Sequence, residues 1–318
     1  PHNYTLEIVG RSDVYKRQSI LLIVVVAILS VVLLPYGFVV IPILILFLLY
    51  QSLLRVIFQG PPVRSLVLNH PDYHLIHTMN NGVDVYGFVH YQPKKSDIVV
   101  LMHGWQSSSE KFFERIELFK NLGVHVLSHD MRGHGIAPDT PEWTAGKVMQ
   151  DLKILLDQVD KNKVKKIHFY GHSLGGFICL GLQNERHDGW WKDRQGTLML
   201  ESPMTAYRPI FEELSSKFSF MLPWMKKWAI NGFRKIHPET PELTWEDVEV
   251  PLWGLPKVPT LLLQAENDNR LGRYHYDLLC AQDIELHPHL LQTLTHSTNR
   301  INQERDLLIE KWVKERIL

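Results

Sequence analysis

The stretch KKIHFYGHSLGGF, residues 165–177, runs an apolar strand (165–171) into a serine flanked by glycines and then into an apolar helix. In Gly171-His172-Ser173-Leu174-Gly175-Gly176 the glycines around Ser173 lack bulk where the backbone has to turn most sharply. Such a turn lifts the hydroxyl above the edge of a sheet and aims the following helix N-terminus at whatever lies beside it. A glycine-rich turn that only packs a helix on a strand would use the same glycines. The placement of the serine between strand and helix is the mark of a nucleophile elbow, here Gly171, His172 and Gly175 around Ser173.

Working outward, short apolar runs alternate with amphipathic segments. The runs are DIVVLMHG (97–104), VHVLSHD (124–130), GTLMLES (196–202) and VPTLLLQA (258–265). Ser107-Ser108-Ser109-Glu110 reads as a capping box opening a helix over 109–122, stopped by Gly123. Thr140-Pro141 reads as cap and first-turn proline for a helix whose stripe is Val148, Leu152, Leu155 and Val159. Buried strands alternating with helices imply a mostly parallel α/β sheet covered on both faces, with sites along the carboxyl edge. Before it, 73–79 and 83–91 alternate apolar and polar residues around Asn80-Asn81-Gly82, a hairpin signal.

A serine hydroxyl needs a base, and the base needs a carboxylate to orient it. In this geometry they follow in the order serine, acid, histidine. Asp268, in the loop after the run 258–265, stands where the acid belongs. Glu266 is its near rival and Glu201 a distant one. His296, after a further apolar run, is the candidate base. His287 and His289 precede that run and read as exposed loop histidines. The oxyanion requires two preset amide donors. These are the Leu174 N–H and, from HGWQ (103–106), the Trp105 N–H, with Gln106 as the alternative.

Between the fourth and fifth runs of this series lie about 55 residues rich in aromatics, 203–256, too long for a plain loop. They read as a helical cap over the site, with Phe218, Met221 and Trp224 as candidate substrate-binding side chains. A small helical insertion with its own core is the plainer alternative.

Composition narrows the rest. The 318 residues carry 34 basic and 34 acidic side chains and show no basic stripe, so nucleic acid is not an expected partner. Two cysteines, Cys179 and Cys280, form neither a disulfide framework nor a metal motif. His129, Asp130 and His134 lie close in sequence, but they follow a strand in a structural turn, and no metal is expected. Residues 1–18, beginning with proline and containing SDVYKRQ, read as a non-native or disordered leader. From Ile20 to Tyr50 there is no charged residue. Residues 19–58 therefore read as a transmembrane segment, either one tilted span or a hairpin bent at Pro35-Tyr36-Gly37 with arms of roughly 22 to 26 Å. QGPPVRS (59–65) breaks this segment from a domain over 59–318. Flanking Arg55 and Arg64 leave the side of the membrane open.

LMHGWQ, HDMRGHG and GHSLGG together resemble the α/β hydrolases, most closely the branch of monoacylglycerol lipases, carboxylesterases and serine aminopeptidases. The resemblance covers about 70–315. It implies an α/β-hydrolase fold with a cap after the sixth strand, hydrolysis without a cofactor, and a triad of Ser173, Asp268 and His296. Ala265 and Thr295 replace glycines usual beside the acid and the histidine. The expected activity is cleavage of a carboxylic ester, a small-molecule substrate with a lipid-derived acyl chain, at a membrane. A peptidase or thioesterase on the same triad is the runner-up, and a silent hydrolase-like binding protein the reading from another class.

Overall fold

The computed structural model describes residues 21–29, 37–62, 66–297 and 300–318. The leader (1–18) and the bend expected at Pro35-Tyr36 lie outside the described residues. The chain divides into two compact units, 1–56 and 57–318.

In the first unit, residues 21–29 are helical (α1). A second helix, α2 (Gly37–Phe58), has 22 residues and runs eight residues past Tyr50. That extension makes it roughly 33 Å long, enough for a ~30 Å hydrocarbon core, where the expected hairpin arm was too short. Over Val39–Phe58 its mean hydropathy is 2.2, and Val39, Ile41, Ile43, Ile45 and Leu46 are exposed. The helix is apolar on every side as far as Leu49, which suits a lipid surrounding, and carries Gln51, Ser52 and Arg55 near its end.

The second unit is built on an eight-stranded sheet ordered β1-β2-β4-β3-β5-β6-β7-β8. β1 (His74–Asn80) and β2 (Val83–His90) form the predicted hairpin. Asn81 and Gly82 both take positive φ (50° and 80°), as a tight two-residue turn requires. β2 pairs antiparallel with β4 (His125–Asp130). From there β3 (Ser96–Met102), β5 (Val164–His172), β6 (Gln195–Glu201), β7 (Thr260–Ala265) and β8 (Leu286–Leu291) are parallel. The chain steps from β3 to β4 on one side and returns to β5 on the other. The carboxyl ends of β3 and β5 thus flank the switch point, where open α/β sheets bind ligands. The apolar runs explain the core: Ile98 to Met102, Phe169, Tyr170 and Leu198 to Leu200 are fully buried.

Several local expectations change. The helix expected over 109–122 is α3 (Phe113–Asn121) and has no side-chain cap. The serines of the supposed capping box are recruited from afar: Ser108 Oγ donates to the Leu66 carbonyl, and the Ser109 N–H donates to Asp130 Oδ1 at 2.7 Å. α4 (Ala145–Asp157) is capped by Thr144, which accepts the Lys147 N–H, and not by Thr140. Its stripe of Val148, Leu152 and Leu155, with Val159 beyond its end, is buried as expected. His287 and His289 are not in a loop. They lie in β8, an edge strand whose side chains are mostly only half buried, so its alternation is weak.

α5 (Leu174–Gly181) follows Ser173, and α8 (Tyr274–Cys280) follows Asp268. α9 (Gln303–Arg316) closes the chain. Between β6 and β7 lie α6 (Arg208–Leu214), a 3-10 turn (Ser216–Met221) and α7 (Leu222–Ile236). Under the carboxyl edge, Glu201 at the end of β6 is buried and bound by Arg115 at 2.5 Å, by Arg305 at 3.5 Å and by the Tyr170 hydroxyl. Burial opposes its ionisation, but the two guanidiniums outweigh that and hold its carboxyl well below the usual range. Glu201→Leu should take from the buried Arg115 its bidentate carboxylate partner, while Arg305 keeps Asp306, and cost about 3–5 kcal/mol in urea denaturation. Glu201→Gln, which keeps hydrogen bonds, should cost less.

Candidate active site

Ser173 sits between β5 and α5 with φ 54° and ψ −118°. This is a conformation an L-residue keeps only when its surroundings enforce it. The surroundings do so closely. A Cβ on Gly175 would meet the Met102 carbonyl at 2.1 Å, and one on Gly171 would meet the Gly175 carbonyl at 2.6 Å. The Ser173 N–H donates to the Glu201 carbonyl at 3.0 Å. The buried ion cluster and the strained turn therefore share one residue.

The structure brings the three sequence candidates together. Ser173 Oγ lies 2.9 Å from His296 Nε2, and His296 Nδ1 lies 2.8 Å from Asp268 Oδ2. Asp268 Oδ1 accepts the N–H groups of Arg270 and Leu271, both at 2.9 Å, and Oδ2 accepts Gln264 Nε2 at 3.1 Å. Burial opposes ionisation of Asp268, but the bond from His296 and those backbone N–H groups prevail and hold its carboxyl at about 2. An ionised Asp268 only accepts, so Nδ1 of His296 carries the proton and Nε2 turns its lone pair to the serine. Such an array can withdraw the hydroxyl proton as the oxygen attacks an electrophile. Glu201 is occupied by its arginines, and Glu266 is exposed.

Two further groups support the array, and one of them was not foreseen. His172, which the sequence marked only as part of the elbow, points Nε2 at the His296 carbonyl, 2.6 Å away. A carbonyl only accepts, so the ring donates and fixes the main chain of the histidine loop. Nothing in the local sequence signals this contact across 124 positions. On the other flank, the Gln106 N–H donates to His134 Nε2 at 3.1 Å. Of the two donors considered in that loop, the Gln106 N–H is thus engaged within the protein, and Gly104 packs against the serine: its added Cβ would meet Ser173 Cβ at 3.2 Å. The Leu174 N–H, in the first turn of α5, has no partner within its helix.

His129, Asp130 and His134 bind protein atoms instead. His129 Nδ1 faces the Tyr86 carbonyl, Asp130 accepts the N–H groups of Ser109 and Ile136, and His134 Nδ1 faces the Arg132 carbonyl. Among the described residues no group of three or more ligating side chains could hold a metal ion.

A cavity of about 370 Å³ runs beside α5, lined by Leu174, Phe177, Trp143, Tyr207, Phe233 and Trp253 among others. Phe177 and Trp253 stack face to face at 4.3 Å. The expected substrate contacts need correction. Phe218, Met221 and Trp224 do not line this cavity, and Phe218 and Trp224 face solvent. α7 turns Met225, Ala229 and Phe233 inward instead.

Comparison with known proteins agrees with this architecture. A family model described as serine aminopeptidase, S33, matches residues 93–250. The lysophosphatidylserine lipase ABHD12 of Danio rerio is 26% identical over 215 residues, covering 64% of this chain and 52% of that protein. Protein phosphatase methylesterase 1 of Candida albicans is 32% identical over 92 residues, 28% of this chain and 26% of that protein. The chain thus spans from about a quarter to about half the length of these relatives. An esterase of Pyrococcus furiosus superposes with a TM-score of 0.57 at 17% identity, over 82% of this chain and 99% of that one. A carboxyl esterase of Bacillus coagulans gives 0.56 at 14% identity, over 78% and 100%. The fold and the elbow define an α/β hydrolase. The chain is similar to members of the α/β-hydrolase superfamily, and its match to the serine aminopeptidase family model, just under half of the chain, lies in the segment that carries the elbow.

Burial of histidines around the site predicts acid sensitivity. Desolvation lowers His172 and His275 from 6.5 to about 4, and His103 and His134 to about 3. Between those values and 6.5 the unfolded chain binds more protons than the folded one, so stability is complete above 6.5 and falls as pH drops. Thermal melts from pH 7 to 4 should show a steady decline in Tm. A flat profile would contradict the burial of these rings.

Proposed function

We propose that this protein is a membrane-tethered serine hydrolase that cleaves carboxylic esters of lipid-derived acyl groups. The observation that carries the proposal is the continuous chain of contacts from Ser173 Oγ through His296 to Asp268. In this reading Ser173 attacks the ester carbonyl while His296 Nε2 takes its proton, and Asp268 steadies the resulting imidazolium. The negative oxygen is received by the N–H groups of Leu174, at the start of α5, and of Trp105, in the loop after β3. His296 then gives its proton to the departing alcohol, and water releases the acyl group from Ser173 by the same steps. Residues 19–58 are the tether, 59–318 the hydrolase domain and 203–256 its cap. Support for the tether comes from the apolar helix Val39–Phe58, and support for a lipid-derived substrate from the likeness to a lysophosphatidylserine lipase and from the apolar cavity.

A fluorophosphonate probe should label Ser173, and Ser173→Ala should abolish labelling and lower kcat by about 10³-fold or more while leaving Tm in place. An unlabelled serine in folded protein, or unchanged turnover in the variant, would refute the proposal. Because the matched family model is described as a serine aminopeptidase, a peptidase is the second reading. Aminoacyl amides assayed beside p-nitrophenyl esters separate the two. If the cavity holds the acyl chain, octanoyl esters should exceed acetyl esters by about tenfold or more in kcat/KM. Preference for acetyl would sink the lipid assignment but not the triad.

A further inference from the structure

The side chains that the cap turns outward form a patch of their own. Leu214, Phe218, Phe220 and Trp224 are 71%, 48%, 74% and 58% exposed, and every residue from Ser216 to Phe220 is exposed. Four large apolar groups within eleven positions exceed the scattered exposure of an ordinary surface. Basic residues accompany them. From Glu212 to Lys235 two acidic residues, Glu212 and Glu213, stand against Lys217, Lys226, Lys227, Arg234 and Lys235. Trp224 and Lys227, three apart on α7, share a face.

The chain's own connectivity indicates what covers this patch. Phe58, the last residue of α2, is buried, and its ring meets Phe233 of α7 edge-on at 4.8 Å. The Phe58 carbonyl accepts the Trp143 N–H at 2.6 Å, and Ile57 lines the cavity. If the preceding residues span a bilayer, the chain leaves the hydrocarbon within a few residues of a side chain packed on α7. Under that reading the folded unit follows its span without a long spacer and stays within reach of the bilayer.

We infer that Leu214, Phe218, Phe220 and Trp224, flanked by Lys217 and Lys227, form a docking face that enters the headgroup–acyl boundary of an anionic bilayer and keeps the cavity beside its lipid supply. Apolar and aromatic side chains with basic neighbours have the composition such a boundary accepts. The inference rests on the tethered-hydrolase reading and assigns its substrate a route, from the bilayer instead of from solution.

The test uses the full chain with Cys280→Ser and Phe220→Cys, carrying an environment-sensitive NBD dye, in nanodiscs of phosphatidylcholine and phosphatidylserine. Doxyl-labelled lipid should quench the dye at 220 by about twofold or more, and omitting phosphatidylserine should weaken the quenching. The same dye at Asp193, an exposed position before β6 at the opposite edge of the sheet, should be unaffected. Leu214→Glu combined with Phe220→Glu should slow hydrolysis of a bilayer-embedded long-chain monoacyl ester by about fivefold or more and leave a short soluble ester within about twofold. Equal quenching at 220 and 193, no quenching at either, or equal loss on both esters would overturn the inference. So would a dye at 220 shielded by crosslinkable dimers, which would make the patch a protein interface. Extraction of the protein by alkaline carbonate would instead count against the tether. Absence of turnover on either ester by the unaltered chain would count against the hydrolase reading, and the quenching would still decide the docking.

Discussion

The structure depends on a single residue held where its backbone would not go by itself. Ser173 has φ 54° because β5 ends and α5 begins without a loop between them, and glycines on either side leave no alternative path. The cost of that conformation, of order 1–3 kcal/mol, is met by the parallel sheet beneath it and by the Glu201 carbonyl that receives its N–H. Glu201 in turn is fixed by Arg115 from α3 and Arg305 from α9. Helices separated by almost two hundred positions thus converge under one turn. The same constraint brings the start of α5 up to the hydroxyl and places Gly104, from the loop after β3, against it. The histidine loop reaches the hydroxyl from the other side, fastened through the ring of His172.

What was legible in the amino-acid order follows from the range over which each signal acts. The parallel strands were legible because each is buried on both faces and therefore reads as an unbroken apolar run. The elbow was legible because its constraint is local: the positions two before and two after the serine, Gly171 and Gly175, have no room for a Cβ. Ser173, Asp268 and His296 each follow a strand, so their meeting could be expected from topology. β8 was misread because an edge strand is neither uniformly apolar nor cleanly alternating, and His287 and His289 therefore looked like loop residues. The serines at 107–109 had the local pattern of a cap but were claimed by Asp130 and by the Leu66 carbonyl, partners that only the folded chain supplies.

The insertion between β6 and β7 shows the same limit more sharply. Its aromatic content marked it as a place for apolar contact, yet composition cannot say which side of a helix faces inward. α7 buries Met225, Ala229 and Phe233, four positions apart, and the small Ala229 hides this stripe among bulkier neighbours. Trp224, one position before Met225, is turned about 100° away by the pitch of the helix. The cavity is bounded instead by Tyr207, Phe233 and Trp253 from the insertion and by Trp143 ahead of α4.

The joint between the apolar helix and the folded unit has its own consequence. Gln59-Gly60-Pro61-Pro62 looks like a spacer at which a soluble fragment could be cut free. Yet Pro61 is buried, and a Cβ on Gly133 would strike it at 2.9 Å. A chain beginning at Gln59 would lose the Phe58 ring packed on Phe233 and Ile57 from the cavity lining. Any measurement of what enters that cavity would then report the truncation as well. The last turn of the apolar helix is thus also part of the folded unit's packing.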